Sequence, residues 1–318
     1  MSRLSYNGEL ILTVTPNPAI DRIVLADKLA FEDTTSILST TESAGGRGLN
    51  ASRVLQRFGV ETLAIFPAGE DSGGRMLEML AESGFPAEIV PVSGTLRTNL
   101  IITDRQGLTV KLNEPGEPLT DEELDRLEKA VERRLPGASW LLLCGSLPPG
   151  VKAELYCRLI RLAKEHGVKT LLDTDEENLR ESLEEQPTVV APNQQEAEGL
   201  VSKALILRQH FREAVDRMLA MGAQSVLLTL GSRGAVAGAG GKFYEAIPPR
   251  VDAISPIGSG DAVNAAFVWA RDQGAEFAEA VRWGVAAGTA SSLLPGIMCA
   301  TREQTEKVYK KVQVRVLR

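Results

Sequence analysis

The stretch GlySerGlyAsp at 258–261 runs from a glycine turn into a small-residue helix, AlaValAsnAlaAla at 262–266. Gly258 and Gly260 admit backbone conformations closed to other residues. The helix that follows offers unpaired N–H groups, and the positive end of its dipole, to whatever sits in the turn. With Ser259, these glycines make an anion site. Asp261 beside them can take a proton from a hydroxyl. An anion cradle next to a carboxylate is the minimum equipment for moving a phosphoryl group onto an alcohol. The plain alternative is an Asp261 that only caps the helix, a position where Asp is favoured.

Three further clusters carry polar chemistry. AlaGlyGlyArgGlyLeuAsn at 44–50 is a second glycine-rich helix start. It is no P-loop, because GxxxxGK[ST] is absent from the chain, and no GxGxxG follows a strand, so a dinucleotide fold has no support. ProAsnGlnGlnGlu at 192–196 follows a strand and places Asn193 and Glu196 three residues apart, on one face of a helical turn. An amide and a carboxylate there suit water-mediated Mg²⁺, the alternative being an ordinary helix start. ThrLeuGlySerArgGlyAla at 229–235 is a glycine turn between strands. The two histidines have ordinary local roles in reach: His166 before Gly167 at a helix end, His210 in a polar helical stretch. Any general base is therefore expected to be a carboxylate.

These clusters need a frame. Short apolar runs (10–15, 62–66, 140–144, 170–173, 188–191 and 225–230) alternate with helical patterns at 49–58, 75–83, 153–166, 261–272, 277–291 and 301–312. Thr120 and Glu123 form a capping box, with Leu124, Leu127, Val131 and Leu135 then on one face. Apolar strands separated by helices predict an α/β fold with a mainly parallel sheet covered on both faces. Its ligand crevice lies beyond the strands' carboxyl ends, where the turns after Thr15, Cys144, Ala191 and Leu230 should converge. Segments 21–44 and 95–115 break the alternation with four strand-like runs and a hairpin turn at 104–107. They predict a small β-sheet lid over that crevice, inserted into a single domain spanning 1–318.

Composition narrows the class. With 43% hydrophobic and 24% charged residues, the chain reads as globular, and its net charge of −7 argues against nucleic-acid or anionic-membrane surfaces. Its first ten residues lack the apolar core of a signal peptide, and no apolar run approaches the ~18 residues of a membrane span. Cys144, Cys157 and Cys299 are far apart with no CxxC pair, so the expected compartment is the reducing cytoplasm.

In order and spacing, ThrProAsnProAlaIleAsp (15–21), GlyGlyArgGlyLeuAsn (45–50), GlySerLeuProProGly (145–150), ProAsnGlnGlnGlu (192–196) and GlySerGlyAsp (258–261) resemble the PfkB (ribokinase-like) carbohydrate kinases over essentially the whole chain. AsnProAlaIleAsp, LeuArgThrAsn (96–99) and LeuAsnGluProGly (112–116) look most like the branch that phosphorylates phosphohexoses. That branch holds 1-phosphofructokinases, tagatose-6-phosphate kinases and ribokinase-like 6-phosphofructokinases. The resemblance implies ATP and Mg²⁺ as cofactors and a phosphosugar substrate. It makes Asp261 the base and Gly258, Ser259 and Gly260 the anion hole. It gives Asp21, Gly45, Gly46 and Asn50 to the sugar and Arg97 to the phosphate already on it, where a guanidinium fork suits the chemistry. Asn193 and Glu196 would organise Mg²⁺ and nucleotide phosphates, with Thr229, Gly231 and Gly234 on the nucleotide side. A homodimer through the lid is also implied, and a four-stranded sheet cannot cover both its faces unaided.

Two departures stand out. Many members of the branch carry Lys where Arg47 stands, and Lys before the Pro-Asn where this chain has Ala191. Two rival readings make different demands on the residues. A catalytically silent sugar-binding regulator would be expected to lose Asp261, and a nucleoside kinase to lack Arg97.

Overall fold

The computed structural model describes residues 10–317 apart from 31–32 and 82. The first part of the chain comprises β1 (Leu10–Val14), β2 (Ala19–Ala26), β3 (Ile37–Gly45), α1 (Arg47–Arg57), β4 (Thr62–Ala68), α2 (Glu70–Ala81), β5 (Ala87–Pro91), β6 (Arg97–Asp104) and β7 (Thr109–Asn113). Then come α3 (Asp121–Arg134), β8 (Ala138–Cys144), α4 (Glu154–Glu165), β9 (Lys169–Asp173), α5 (Glu176–Ser182), β10 (Val189–Val190), α6 (Gln194–Val201) and α7 (Arg208–Ala220). The last part holds β11 (Ser225–Thr229), β12 (Ala235–Ala239), β13 (Lys242–Ile247), α8 (Ser259–Asp272), α9 (Phe277–Ser292), α10 (Arg302–Tyr309) and β14 (Gln313–Leu317).

Ten strands form one sheet in the order β14-β13-β12-β11-β10-β9-β8-β1-β4-β5. From β11 to β5 every pairing is parallel, while β12, β13 and β14 add an antiparallel margin. Alternate residues of each strand enter opposite cores. Leu12, Val14, Leu141 and Leu143 pack toward α3, α4 and α7. Ile11, Trp140 and Leu142 pack toward α1, α8 and α9. Burying such a side chain contributes roughly 1.5–3 kcal/mol, so the two-sided sheet is the main store of stability.

The lid is a separate sheet in the order β3-β2-β6-β7, with β2 and β6 parallel and hairpin β6–β7 closing through Gly107. Its two faces differ. One carries Asp21 and Ile23 opposite Asn99 and Ile101. The other carries Arg22, Val24 and Ala26 beside Leu100 and Ile102, and with Ile37 these line an open hollow of about 710 Å³.

Several expectations shift in detail. The helix read at 75–83 begins at Glu70, because Glu70 and Asp71 suit a helix N-terminus and Gly73–Gly74 do not interrupt it. The helix read at 301–312 stops at Tyr309, and 313–317 forms edge strand β14 instead. The strand at 188–191 shortens to two residues. The Thr120–Glu123 capping box is present, and Glu123 is buried beneath Ser93 as well. His166 caps α4 with Nδ1 2.9 Å from the Leu162 carbonyl, and the cysteines are buried and free.

Candidate active site

The carboxyl ends of the parallel strands bring the clusters together. After β1, the Asn17 amide donates to Ser146 Oγ and to the Leu147 carbonyl beyond β8. Gly145 N–H donates to the Asp173 carbonyl at 2.7 Å, Ala191 to Leu172 at 2.9 Å and Thr229 to Pro192 at 2.9 Å. The four turns therefore lie side by side along one rim, as the parallel register requires.

Helix α8 opens onto this rim. Gly258 is its N-cap with φ 73°, a left-handed conformation that favours glycine. Asp261 is thus the third helical residue and not the cap. Its Oδ2 accepts from Asn50 Nδ2 at 2.8 Å. Asn50 is itself held by Arg53, whose Nη1 donates to Asn50 Oδ1 at 2.7 Å. Burial and then the negative charge of Asp173 push the Asp261 carboxyl up to about 7, against the pull of Asn50 and Arg47. A carboxyl so poised holds and releases a proton near neutrality, as general-base work requires.

Asp173, at the end of β9, was not singled out from the sequence. It receives Arg47 Nη1 on Oδ1 at 2.5 Å and Asn264 Nδ2 on Oδ2 at 2.7 Å. One carboxylate thereby ties the start of α1 to α8. The other Arg47 nitrogen, Nη2, reaches Glu196 Oε1 at 3.1 Å.

Asn193 and Glu196 form a reciprocal cap of α6. Asn193 Oδ1 accepts from Glu196 N at 3.0 Å, and Glu196 Oε2 accepts from Asn193 N at 2.9 Å. The helix-start reading of this pair is therefore realised, on the rim, beside Arg47. Burial pushes the Glu196 carboxyl up to about 7, with Arg47 opposing and Asp173 reinforcing the rise. These groups offer oxygen only, the hard donors Mg²⁺ takes. Asn264 Oδ1 and Ser259 Oγ, on α8, are buried with no hydrogen-bond partner among the described residues. Asp173 and Glu196 already hold a cation, the Arg47 guanidinium, between them, and one or two carboxylates beside water and phosphate suffice for Mg²⁺, so these residues fit the ion. Thr229 bridges to Asn193, and Gly231 and Gly234 shape the turn from β11 to β12. Gly234 has a local reason too: a Cβ there would sit 2.0 Å from the Ala246 carbonyl oxygen.

The lid supplies the other wall. Asp21 is buried, and its Oδ1 accepts from Asn99 Nδ2 at 2.8 Å across the β2–β6 register. Burial raises its carboxyl above the ordinary range. Gly45 lies against it so closely that a Cβ would fall 2.3 Å from the carboxyl carbon. Gly46, at φ 139°, caps α1. Arg97 donates from Nη1 to the Glu114 carbonyl at 2.9 Å and from Nη2 to the Asn17 carbonyl at 3.0 Å. Its Nε is buried with no partner among the described residues, and burial lowers its pKa against the pull of Asp21. Asp173, Asn264, Asn99 and Arg53 are the functional neighbours missing from the sequence reading. Asp173 ends an apolar run, and Asn99 closes the LeuArgThrAsn motif, so these two carried a visible signal.

Known proteins share this arrangement of elements. The E. coli (strain K12) ATP-dependent 6-phosphofructokinase isozyme 2 is 31% identical over 302 residues, spanning 94% of this chain and 97% of that protein. The Rhodobacter capsulatus 1-phosphofructokinase is 31% identical over 278 residues, 87% of this chain and 88% of its own. Among solved structures, E. coli phosphofructokinase-2 in complex with potassium superposes with a TM-score of 0.88 at 30% identity, covering 95% of this chain and 99% of that one. The model for the pfkB family of carbohydrate kinases matches residues 15–299 and so contains every cluster on the rim and the lid. The chain belongs to the pfkB family of carbohydrate kinases.

Proposed function

We infer that residues 1–318 act as one kinase unit that transfers the γ-phosphoryl group of ATP to a hydroxyl of a ketohexose phosphate. Fructose 1-phosphate and tagatose 6-phosphate are the foremost acceptors, with fructose 6-phosphate third. The observation that carries this reading is Asp261: a carboxylate poised near neutrality in the first turn of α8, held by Asn50, which follows the glycine pair of α1. Asp261 takes the acceptor's hydroxyl proton while the oxygen bonds to the γ-phosphorus. The bond from that phosphorus to the β–γ bridging oxygen breaks, and ADP leaves. N–H groups of Gly258, Ser259 and Gly260 would meet the charge on the transferred group, since positioning and electrostatics dominate phosphoryl transfer.

Asp21, Gly45, Gly46 and Asn50 would orient the sugar hydroxyls, and Arg97 would turn to the sugar's phosphate. Thr229, Gly231 and Gly234 would line the nucleotide. Glu196 and Asn193 would hold Mg²⁺ through water, and the ion when bound neutralises phosphate charge. The inward lid face would keep water from competing as acceptor. Its outward hollow, apolar at Val24, Leu100, Ile102 and Ile37, supports a homodimer through the lid. Relatives with different acceptors match at equal identity, so substrate choice rests on assay. ATP turnover against the three phosphosugars decides: one should be strongly preferred, and no transfer to any of them would overturn the reading.

A further inference from the structure

Arg47 is the first residue of α1, and that helix has no acidic residue in its first turn. A guanidinium at the positive end of a helix dipole is misplaced unless something else holds it. Two other elements do. Asp173, from the end of β9, lies 2.5 Å from Nη1, and Glu196, from the first turn of α6, lies 3.1 Å from Nη2. Asp175 adds its charge at 3.6 Å. Asp173 and Glu196 are nearly buried, with side chains 8% and 10% exposed, so neither is neutralised by bulk solvent. The planar fork sets a separate nitrogen on each of two carboxylates from separate elements, a fixed geometry that the single ammonium of a lysine does not reproduce.

We propose that Arg47 is an internal counter-ion that bridges Asp173 and Glu196 and withholds them from divalent cations until phosphate arrives. This rests on the kinase reading for the identity of the phosphate, and adds to it an order of events. While the guanidinium bridges the carboxylates, a free divalent ion meets a site already neutralised. Nucleotide phosphates compete for the guanidinium, which binds them through the same fork. Drawing it off uncovers the carboxylates, so the metal is retained with the nucleotide and not before it. Arg47 is then a positioning residue for the metal-binding groups, and the nucleotide's affinity and the metal's are reciprocally linked.

Mn²⁺ alone is the probe, with free ion followed by electron paramagnetic resonance as it is titrated into the full chain. Wild type should bind Mn²⁺ weakly without nucleotide and markedly better with ADP present. Arg47→Ala should bind Mn²⁺ without nucleotide at least about tenfold more tightly than wild type, within the usual range of such couplings. Adding Asp173→Asn to Arg47→Ala should remove that gain. Equal binding by wild type and Arg47→Ala, or a gain that survives Asp173→Asn, overturns the proposal. Thermal melting verifies folding first. If Arg47→Ala does not fold, Arg47→Lys serves, with an intermediate gain expected and binding equal to wild type as the refuting result. These titrations read the guanidinium whether or not a sugar is phosphorylated. Absent turnover on every phosphosugar would sink the function alone, and equal Mn²⁺ binding the counter-ion alone.

Discussion

Asp261→Asn separates chemistry from folding, because the structure gives the two effects opposite signs. The substitution keeps the shape and removes the proton acceptor. Losing a general base lowers turnover by about 10²–10⁴. The same change should stabilise the fold in alkaline solution. Moving a carboxyl from 3.8 to about 7 disfavours its charged form by about 4 kcal/mol at most, less the part that Asp261's partial exposure returns. The folded chain keeps a proton that the unfolded chain releases between pH 3.8 and about 7. Wild-type stability from this group therefore declines as pH rises through that window and levels off above it. Asparagine has no such decline. Thermal unfolding should show the variant melting at or above the wild-type temperature at pH 8, with the gap closing toward pH 4. Wild-type turnover should climb through pH 7, with roughly a tenth of the base ionised one unit below its pKa. A variant that kept more than about a tenth of wild-type turnover would remove Asp261 as the base. A variant melting lower than wild type at pH 8 would refute the assignment of the raised pKa to burial.

Arg97→Ala should raise KM for the phosphosugar roughly 10- to 100-fold, the loss of a charge-assisted contact, and leave KM for ATP unchanged. A rise in KM for ATP instead, or wild-type preference for an unphosphorylated sugar, would contradict the phosphate role. Light scattering should give the mass of two 34.2 kDa chains at micromolar concentration. The mass of one chain with activity retained would exclude the lid dimer.

The parallel sheet, the lid strands and the glycine-marked helix starts were legible because each has a local cause. Continuous apolar runs, a capping box and glycine at positive φ act within a few residues of themselves. The network around Asp261 was not legible in that way. Asp173 meets Asn264 across 91 residues, Arg47 meets Asp173 across 126, and Asn99 meets Asp21 across 78. Only the folded register creates those pairs. Of the antiparallel margin only the glycine turn at 229–235, between β11 and β12, was legible, and the rest was hidden for a different reason. AlaValAlaGlyAla in β12 is made of small residues with little strand preference, and its place comes from pairing with β11. Asn193 and Glu196 show the converse: a spacing read for metal binding closes a helix cap, so one signal admits two readings.

Strand β3 of the lid ends at Gly45 and α1 begins at Arg47, with only Gly46 between them. No flexible linker lies there to absorb a tilt of the lid. Any rocking must be taken up as torsion at two glycines, one already at φ 139°, or be passed into the helix. That helix carries Asn50, whose amide grips the Asp261 carboxylate one turn further on. The lid is therefore a crank with a short inner arm. A tilt of its outer strands would bear, at the inner end, on the 2.8 Å hydrogen bond between Asn50 and the Asp261 carboxylate.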